Sequence, residues 1–297
     1  MAKSYTKEDL VNFRKQHDTL VGIDSDGCVF DTMGAKQKDH FHPLIIEVWG
    51  LEPIEPQLRK AAEFFNLYSK WRGQNRFIAL LKVFEALPDM PGVADSGVAL
   101  PPTESLRAYI ESGLPLGNPS LSEEVQRTGD PELQRLLGWS LAVNKDIAEN
   151  MDEIGPFKGV RKCLEKMGAT SDLLIVSQTP EEALVHEWDL HGIQHYVQAI
   201  AGQELGTKTE HLQMVREGRY EGSQVLMIGD AAGDRKAAAE NDALFFPINP
   251  GHEEESWQAL YEEGYDKFLA GSFSGSYQQK LIDEFEALLP EAYPWLT

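Results

Sequence analysis

The sequence of 297 residues holds only two cysteines, Cys28 and Cys163, far apart and without metal-ligating neighbours. Neither a disulfide framework nor a cysteine metal site organises it, and both side chains are expected to be buried hydrophobes. Positive charge is scarce: 27 Lys and Arg stand against 48 Asp and Glu, a formal net charge of −21. No basic patch stands out, which argues against nucleic acid or anionic lipid as a partner. Such a surface also repels anionic substrates, so a phosphate ligand would need local cations to attract it. No stretch approaches eighteen apolar residues, and the N-terminal Met-Ala-Lys-Ser-Tyr-Thr-Lys-Glu-Asp has no apolar run. Neither a membrane span nor a signal peptide is expected, and a cytoplasmic enzyme or binding protein fits. Internal repeats and low-complexity segments are missing too.

What is present is an ordinary globular balance, 42% hydrophobic and 25% charged residues, in a chain long enough for two domains. The most informative stretch is Leu20–Asp31, where Leu20, Val21 and Ile23 run into Asp24 and Asp26, with Gly27 following at once. This pattern predicts a buried strand that delivers carboxylates to its C-terminal tip, where open α/β sheets bind ligands. Neighbouring buried carboxylates need a cation or a proton to compensate them. Read alone, Asp, Ser and Gly fit a surface turn equally well.

Beyond about Met33 the pattern turns helical. Apolar residues recur at helical spacing over Lys36–Val48, Pro56–Trp71, Asn75–Leu87, Thr103–Glu111 and Pro131–Met151, with Pro/Gly/Ser-rich loops at 87–102 and 112–120. Strand–helix alternation resumes at Gly155. Apolar strands are expected at Leu173–Val176, Ala199–Ala201, Val225–Ile228 and Ala243–Pro247, each followed by a helix or turn. Thr179 is read as the N-cap of a helix over Pro180–Leu190. Residues 1–32 therefore belong with residues 154–297 in an α/β core, and residues 33–153 are an inserted helical domain. The aromatic-rich tail over residues 250–297 is expected as two or three helices strapped across the core.

If the strands are parallel, one sheet edge collects Asp24 and Asp26, Ser177, and Asp230 with Asp234 from Gly-Asp-Ala-Ala-Gly-Asp; Lys208 precedes an intervening helix. In this order, each after the appropriate element, these residues resemble the haloacid dehalogenase superfamily, of the type with a helical cap inserted after the first strand. The resemblance covers about residues 18–33 and 154–248. It implies a Rossmann-like parallel sheet flanked by helices and a Mg²⁺-dependent phosphatase acting on a small phosphorylated metabolite. It also implies roles: Asp24 as the nucleophile that forms an aspartyl-phosphate, Asp26 as acid and base, and Ser177 and Lys208 as phosphoryl ligands. Asp24, Asp230 and the Asp26 carbonyl would hold Mg²⁺, with Asp234 a further ligand or a brace for one. Asp26 argues against C–Cl cleavage and phosphonate cleavage, whose family members lack the second aspartate. A phosphomutase of the β-phosphoglucomutase type and a non-catalytic binding protein with the same fold are the alternatives. Ser25 departs from the family, which more often puts a bulky or apolar residue between the aspartates.

Other residues draw blander readings. Asp31 is expected to brace a turn. His186, His191 and His195 suit packing or surface positions better than a metal cluster, and His40 and His42 are expected to be solvated. The corner Asn66–Phe77 concentrates Arg72, Arg76 and Lys70 in an acidic chain, and Arg72 and Arg76 are expected to grip substrate.

Overall fold

The computed structural model describes residues 4–295. It divides into two compact units: the described residues up to Thr32 with Ile154–Leu288, and Met33–Glu153 with the described residues from Leu289 onward.

The first unit is built on a five-stranded sheet of β1 (Leu20–Ile23), β2 (Asp172–Val176), β3 (Ala199–Ala201), β4 (Val225–Gly229) and β5 (Leu244–Pro247). All neighbours are parallel, in the order β3-β2-β1-β4-β5. Every residue of β1, β2, β3 and β4 is buried, as helices on both faces of a parallel sheet require. The chain moves outward from β1 through β2 to β3, then returns to the other side of β1 for β4. The carboxyl ends of β1 and β4 therefore flank the point where strand order reverses, which is where such sheets bind ligands. Helices Glu253–Ala259, Tyr265–Leu269 and Ser276–Leu288 complete this unit and bury Trp257, Tyr265, Phe268 and Phe285. The Trp257 indole donates to the Cys28 carbonyl at 2.9 Å, fixing the chain just past β1.

The second unit is helical. Its principal helices are His42–Trp49, Glu55–Leu67, Arg76–Ala86, Glu104–Glu111, Asn118–Thr128 and Pro131–Asn150, around a core that includes Phe65, Phe77, Tyr109 and Trp139. Asn118–Thr128 is an addition to the expected set: its Gly-Asn-Pro-Ser opening reads as loop, whereas the proline sits in the first helical turn, where its missing N–H costs nothing. The expected single helix over Lys36–Val48 contains a π-helical turn at Lys36–Phe41. His40 and His42 are buried rather than solvated; Nδ1 of His40 lies 2.7 Å from Oδ2 of Asp146, and both ring nitrogens of His42 have no hydrogen-bond partner.

The expected core range of 154–297 is shortened at its end. Tyr293 and Trp295 stack on each other at 5.3 Å and pack edge-on against Phe64 in the helical unit. Lys70 adds a backbone bond to the Pro290 carbonyl and an ion pair with Glu291. The last aromatics thus find their apolar partners on the inserted unit, while those before Leu288 stay with the sheet.

Candidate active site

Sheet pairing runs slightly past the strand ends. The Asp24 amide donates to the Ile228 carbonyl at 2.9 Å, and the Ser177 amide to the Ala201 carbonyl at 3.0 Å. Asp24, Ser177 and Asp230 thereby leave neighbouring strands at one edge, and all three are buried. After Asp24 the chain turns tightly. The Ser25 carbonyl accepts from the amides of Cys28, Val29 and Phe30, and Gly27 adopts φ 82°, a conformation that glycine takes without strain.

Lys208 reaches Asp24 through the register of a helix on the sheet. A Cβ on Gly22 would lie 2.7 Å from Cδ2 of Leu212, so glycine here leaves room for the Leu212 side chain of helix Lys208–Arg216 against the middle of β1. Gly22 and Asp24 share a strand face, and Lys208 and Leu212 share a helix face. The Gly22–Leu212 contact therefore sets Lys208 beside Asp24. Its Nζ is 2.9 Å from Oδ2 of Asp24 and 2.6 Å from Oδ1 of Asp234.

Asp234 is held against the end of β4 in a similar way. A Cβ on Gly229 would lie 2.3 Å from its Cγ. Oδ2 of Asp234 accepts from the amides of Asp230 at 3.1 Å and Ala231 at 3.0 Å. With Lys208 on Oδ1, both oxygens of Asp234 are engaged, so it braces the lysine and the Asp230 loop.

Asp24, Asp230 and Asp234 bring carboxylate oxygens within 4.8 Å of one another, all three residues buried. The Lys208 ammonium bonds two of these three carboxylates, which crowd one another out of water. Burial pushes the Asp24 carboxyl well above the usual carboxylate range; Lys208 opposes this, and Asp234 and Asp230 add to it. Asp234 is raised by the same burial, again against Lys208. Burial alone would lower the Lys208 ammonium, yet Asp234 and Asp24 win and hold it above the ordinary lysine value. The hard oxygen donors of this cluster suit a divalent metal ion. Among the described residues no other group of His, Cys, Asp or Glu has this spacing, the His186, His191 and His195 set included.

Asp26, half-buried, is gripped by two threonines that the sequence does not single out for it. The Thr32 hydroxyl donates to Oδ1, and the Thr179 hydroxyl reaches Oδ2 at 3.5 Å. Thr179 does not cap the helix after β2. That helix is Glu181–Leu190, its N-cap is Pro180, and no side chain bonds there. The Thr179 amide instead donates to Oγ of Ser177 at 3.1 Å, leaving the Ser177 hydroxyl proton for another acceptor. Cys28 and Cys163 are free thiols, both buried, as expected.

Comparison with known proteins bears on the middle and later part of the chain. Residues 114–246 match the haloacid dehalogenase-like hydrolases. A haloacid dehalogenase-like hydrolase from Bacteroides fragilis shares the fold with a TM-score of 0.50 at 14% identity, over 80% of this chain and 92% of that one. The matched stretch of the chain is similar to that family, and the fold agrees with it. A family member from Streptococcus pneumoniae aligns at TM-score 0.45 and 16% identity, over 82% of this chain and 90% of that one. A protein from Lactobacillus plantarum designated a phosphoglycolate phosphatase aligns at 0.48 and 13%, over 81% and 90%. No curated protein matches the sequence. The family match begins after β1, so Asp24 and Asp26 lie outside it.

The two arginines of the helical unit have different surroundings. Arg72 is buried and donates through Nη1 to the Leu67 carbonyl at 3.0 Å. Arg76 spends its Nη1 within the unit, on the Ser140 carbonyl and hydroxyl and on Oδ1 of Asn144 at 2.7 Å, and its guanidinium sits 5.0 Å from the centre of the Phe41 ring. No carboxylate pairs with it among the described residues, and burial lowers its pKa to about 10. No helix among the described residues is long and apolar enough to cross a membrane.

Proposed function

We propose that this hydrolase is a Mg²⁺-dependent phosphatase of a small phosphorylated metabolite, acting through an aspartyl-phosphate on Asp24. The observation that carries this reading is the buried cluster of Asp24, Asp230 and Asp234, with the Lys208 ammonium set between Asp24 and Asp234. Crowding three buried carboxylates together is unfavourable as a structural device. They suit a site that takes up a divalent ion and then a phosphate. Asp24, Asp230 and the Asp26 carbonyl would hold Mg²⁺, and Asp234 would brace them. When bound, the ion supplies neutralisation of the phosphoryl charge and helps align the ester for in-line displacement.

The chain's own residues account for the proton and phosphoryl movements. Lys208 occupies Oδ2 of Asp24, which leaves the other carboxylate oxygen to attack phosphorus. The bond from phosphorus to the leaving oxygen breaks, and Asp26 gives that oxygen its proton. Asp26, now ionised, takes a proton from the water that attacks the aspartyl-phosphate. The bond to Asp24 then breaks, releasing inorganic phosphate and restoring the carboxylate. The Thr32 and Thr179 hydroxyls hold Asp26 in place for both steps. Ser177 donates its hydroxyl to the phosphoryl oxygens, and Lys208 offsets their charge.

The helical unit is proposed as a cap that selects a small substrate, with Arg72 and Arg76 supplying contacts to it. A cytoplasmic location is part of the same reading, since two buried free thiols call for no oxidising compartment.

A panel of phosphomonoesters with Mg²⁺ tests the proposal. Phosphate release that disappears in Asp24→Asn supports it. Isomerisation without release would move the reading to a phosphomutase, and no turnover of any ester would overturn it.

A further inference from the structure

Ser25 stands between the proposed nucleophile and the proposed acid, where its relatives by resemblance carry a bulkier apolar residue. It is fully buried, and its hydroxyl has a specific partner. Nε1 of Trp188, itself fully buried, donates to Oγ of Ser25 at 3.0 Å. Trp188 lies on helix Glu181–Leu190, directly after the segment that carries Ser177 and Thr179. Its ring meets Phe30 edge-on at 6.0 Å with an interplanar angle of 83°, and Phe30 ends the turn that begins at Ser25. Ser25 is thus held twice: its carbonyl closes the turn by accepting three amides, and its hydroxyl is pinned from the neighbouring helix. The two carboxylates on either side are carried on one short piece of backbone whose position is set there.

From this we infer that Trp188 and Ser25 are a positioning pair for the hydrolytic reaction: the indole N–H fixes the Asp24–Asp26 backbone relative to the Ser177 and Thr179 segment. This inference rests on the phosphatase reading. A pair that served packing alone would need no hydrogen bond, since an apolar residue at position 25 beneath the ring would fill the space. Where reacting groups must be held closely, a shift of about 1 Å costs on the order of a hundredfold in rate. Neither residue touches the substrate, so the effect falls on turnover rather than on binding.

The test is a double-mutant cycle with Trp188→Phe and Ser25→Ala, measured with p-nitrophenyl phosphate and Mg²⁺ alongside thermal unfolding of each variant. Trp188→Phe keeps an aromatic ring against Phe30 and removes the donor; Ser25→Ala removes the acceptor. Each single change is expected to lower kcat about tenfold or more with KM within about twofold. The double variant is expected to fall no further than the worse single, because both break one bond. Thermal midpoints separate the inference from a packing role. Ser25→Ala leaves a buried N–H without an acceptor and lowers the midpoint, and Trp188→Phe in the same chain partly restores it, whereas kcat is not restored. Unchanged kcat in an active background, losses that multiply, or a kcat that recovers with the midpoint would each overturn the positioning role and leave the phosphatase reading intact. A wild-type protein that turns over no phosphomonoester overturns that reading, and the positioning role with it.

Discussion

Asp172 and Asp24 are buried on adjacent strands of one sheet, the first at the start of β2 and the second just past the end of β1, and they are treated very differently. Asp172 accepts from the amides of Gln16 at 2.8 Å and His17 at 3.0 Å, from Nε2 of Gln198 at 2.8 Å, and from the Tyr220 hydroxyl; Nδ1 of His17 lies 3.1 Å away. Amide and hydroxyl donors from three segments surround one charge. At the opposite edge, Asp24, Asp230 and Asp234 share Lys208 and crowd one another. Burial of a carboxylate therefore does not by itself mark a functional site. At the amino edge the fold supplies what the charge needs, and the carboxylate ties segments together. At the carboxyl edge the fold crowds carboxylates together around one lysine, as the proposed metal and phosphate site requires.

The largest effect that would break this contrast is on turnover. Asp24→Asn is expected to lower kcat by on the order of ten-thousandfold or more, while the thermal midpoint of the metal-free protein does not fall, since one of three crowded charges is removed. Steady-state assays and calorimetry on the same preparation check both halves. A lowered midpoint with retained activity would make the carboxyl edge structural after all.

Asp172→Ala should do the reverse. Its loss leaves buried donors without an acceptor, and a cost of about 3–5 kcal/mol is expected in denaturant unfolding. kcat per folded molecule should be unchanged. Next in size is the response to metal. Mg²⁺ at 100 times its dissociation constant should stabilise the wild-type protein by about 2.7 kcal/mol. The increment should vanish in Asp230→Ala and persist in Asp172→Asn, measured as the shift in unfolding midpoint with added MgCl₂.

These two edges were not equally legible. The carboxyl edge can be read because apolar runs end in polar residues there: Ile23 into Asp24, Val176 into Ser177, Gly229 into Asp230. Strand periodicity supplies the placement, and the order of residues supplies the resemblance. The glycines that bring Leu212 over β1 and Asp234 against β4 carry no local signal, since their meaning lies in a contact far along the chain. Asp172 was missed for the same reason. Before Leu173 it looks like a turn residue, and its donors come from positions 16, 17, 198 and 220. Thr179 was misplaced because a threonine before Pro-Glu-Glu has the local chemistry of a helix cap, and only the tertiary fold turns it to Asp26 and Ser177. The domain boundary at Met33 is visible as a change of period, whereas the return of the chain to the helical unit at Leu289 depends on which aromatic surface Tyr293 and Trp295 meet.

The smallest expected effect concerns buried titratable groups that have neither partners nor crowding. His211, on the helix of Lys208, and His42, in the helical unit, are fully buried, and their ring nitrogens have no hydrogen-bond partner in bonding geometry among the described residues. Burial lowers His211 to about 4, with Glu210 and the nearby Gly206 backbone opposing and Lys208 and Lys7 assisting. Burial also lowers His42 to about 3, assisted by Arg59 and Lys38. A depressed folded pKa favours the neutral ring, so its contribution is whole above the unfolded value of about 6.5 and is lost as pH falls toward these values. Between pH 7 and 5.5 the unfolded chain takes up most of a proton at each ring while the folded chain does not, which costs about 1 kcal/mol per histidine. His211→Leu and His42→Leu should each lower that loss by about this amount, measured as the pH dependence of urea unfolding over this range. The two changes should add, because the residues belong to separate units. An unaltered pH dependence in either variant would mean that the ring is charged in the folded protein and has a partner. That outcome would give His211 or His42 the kind of compensation Asp172 has. The expected outcome separates a third way of burying a titratable group, by discharging it, from compensation by neutral donors and from charge held ready for a cation.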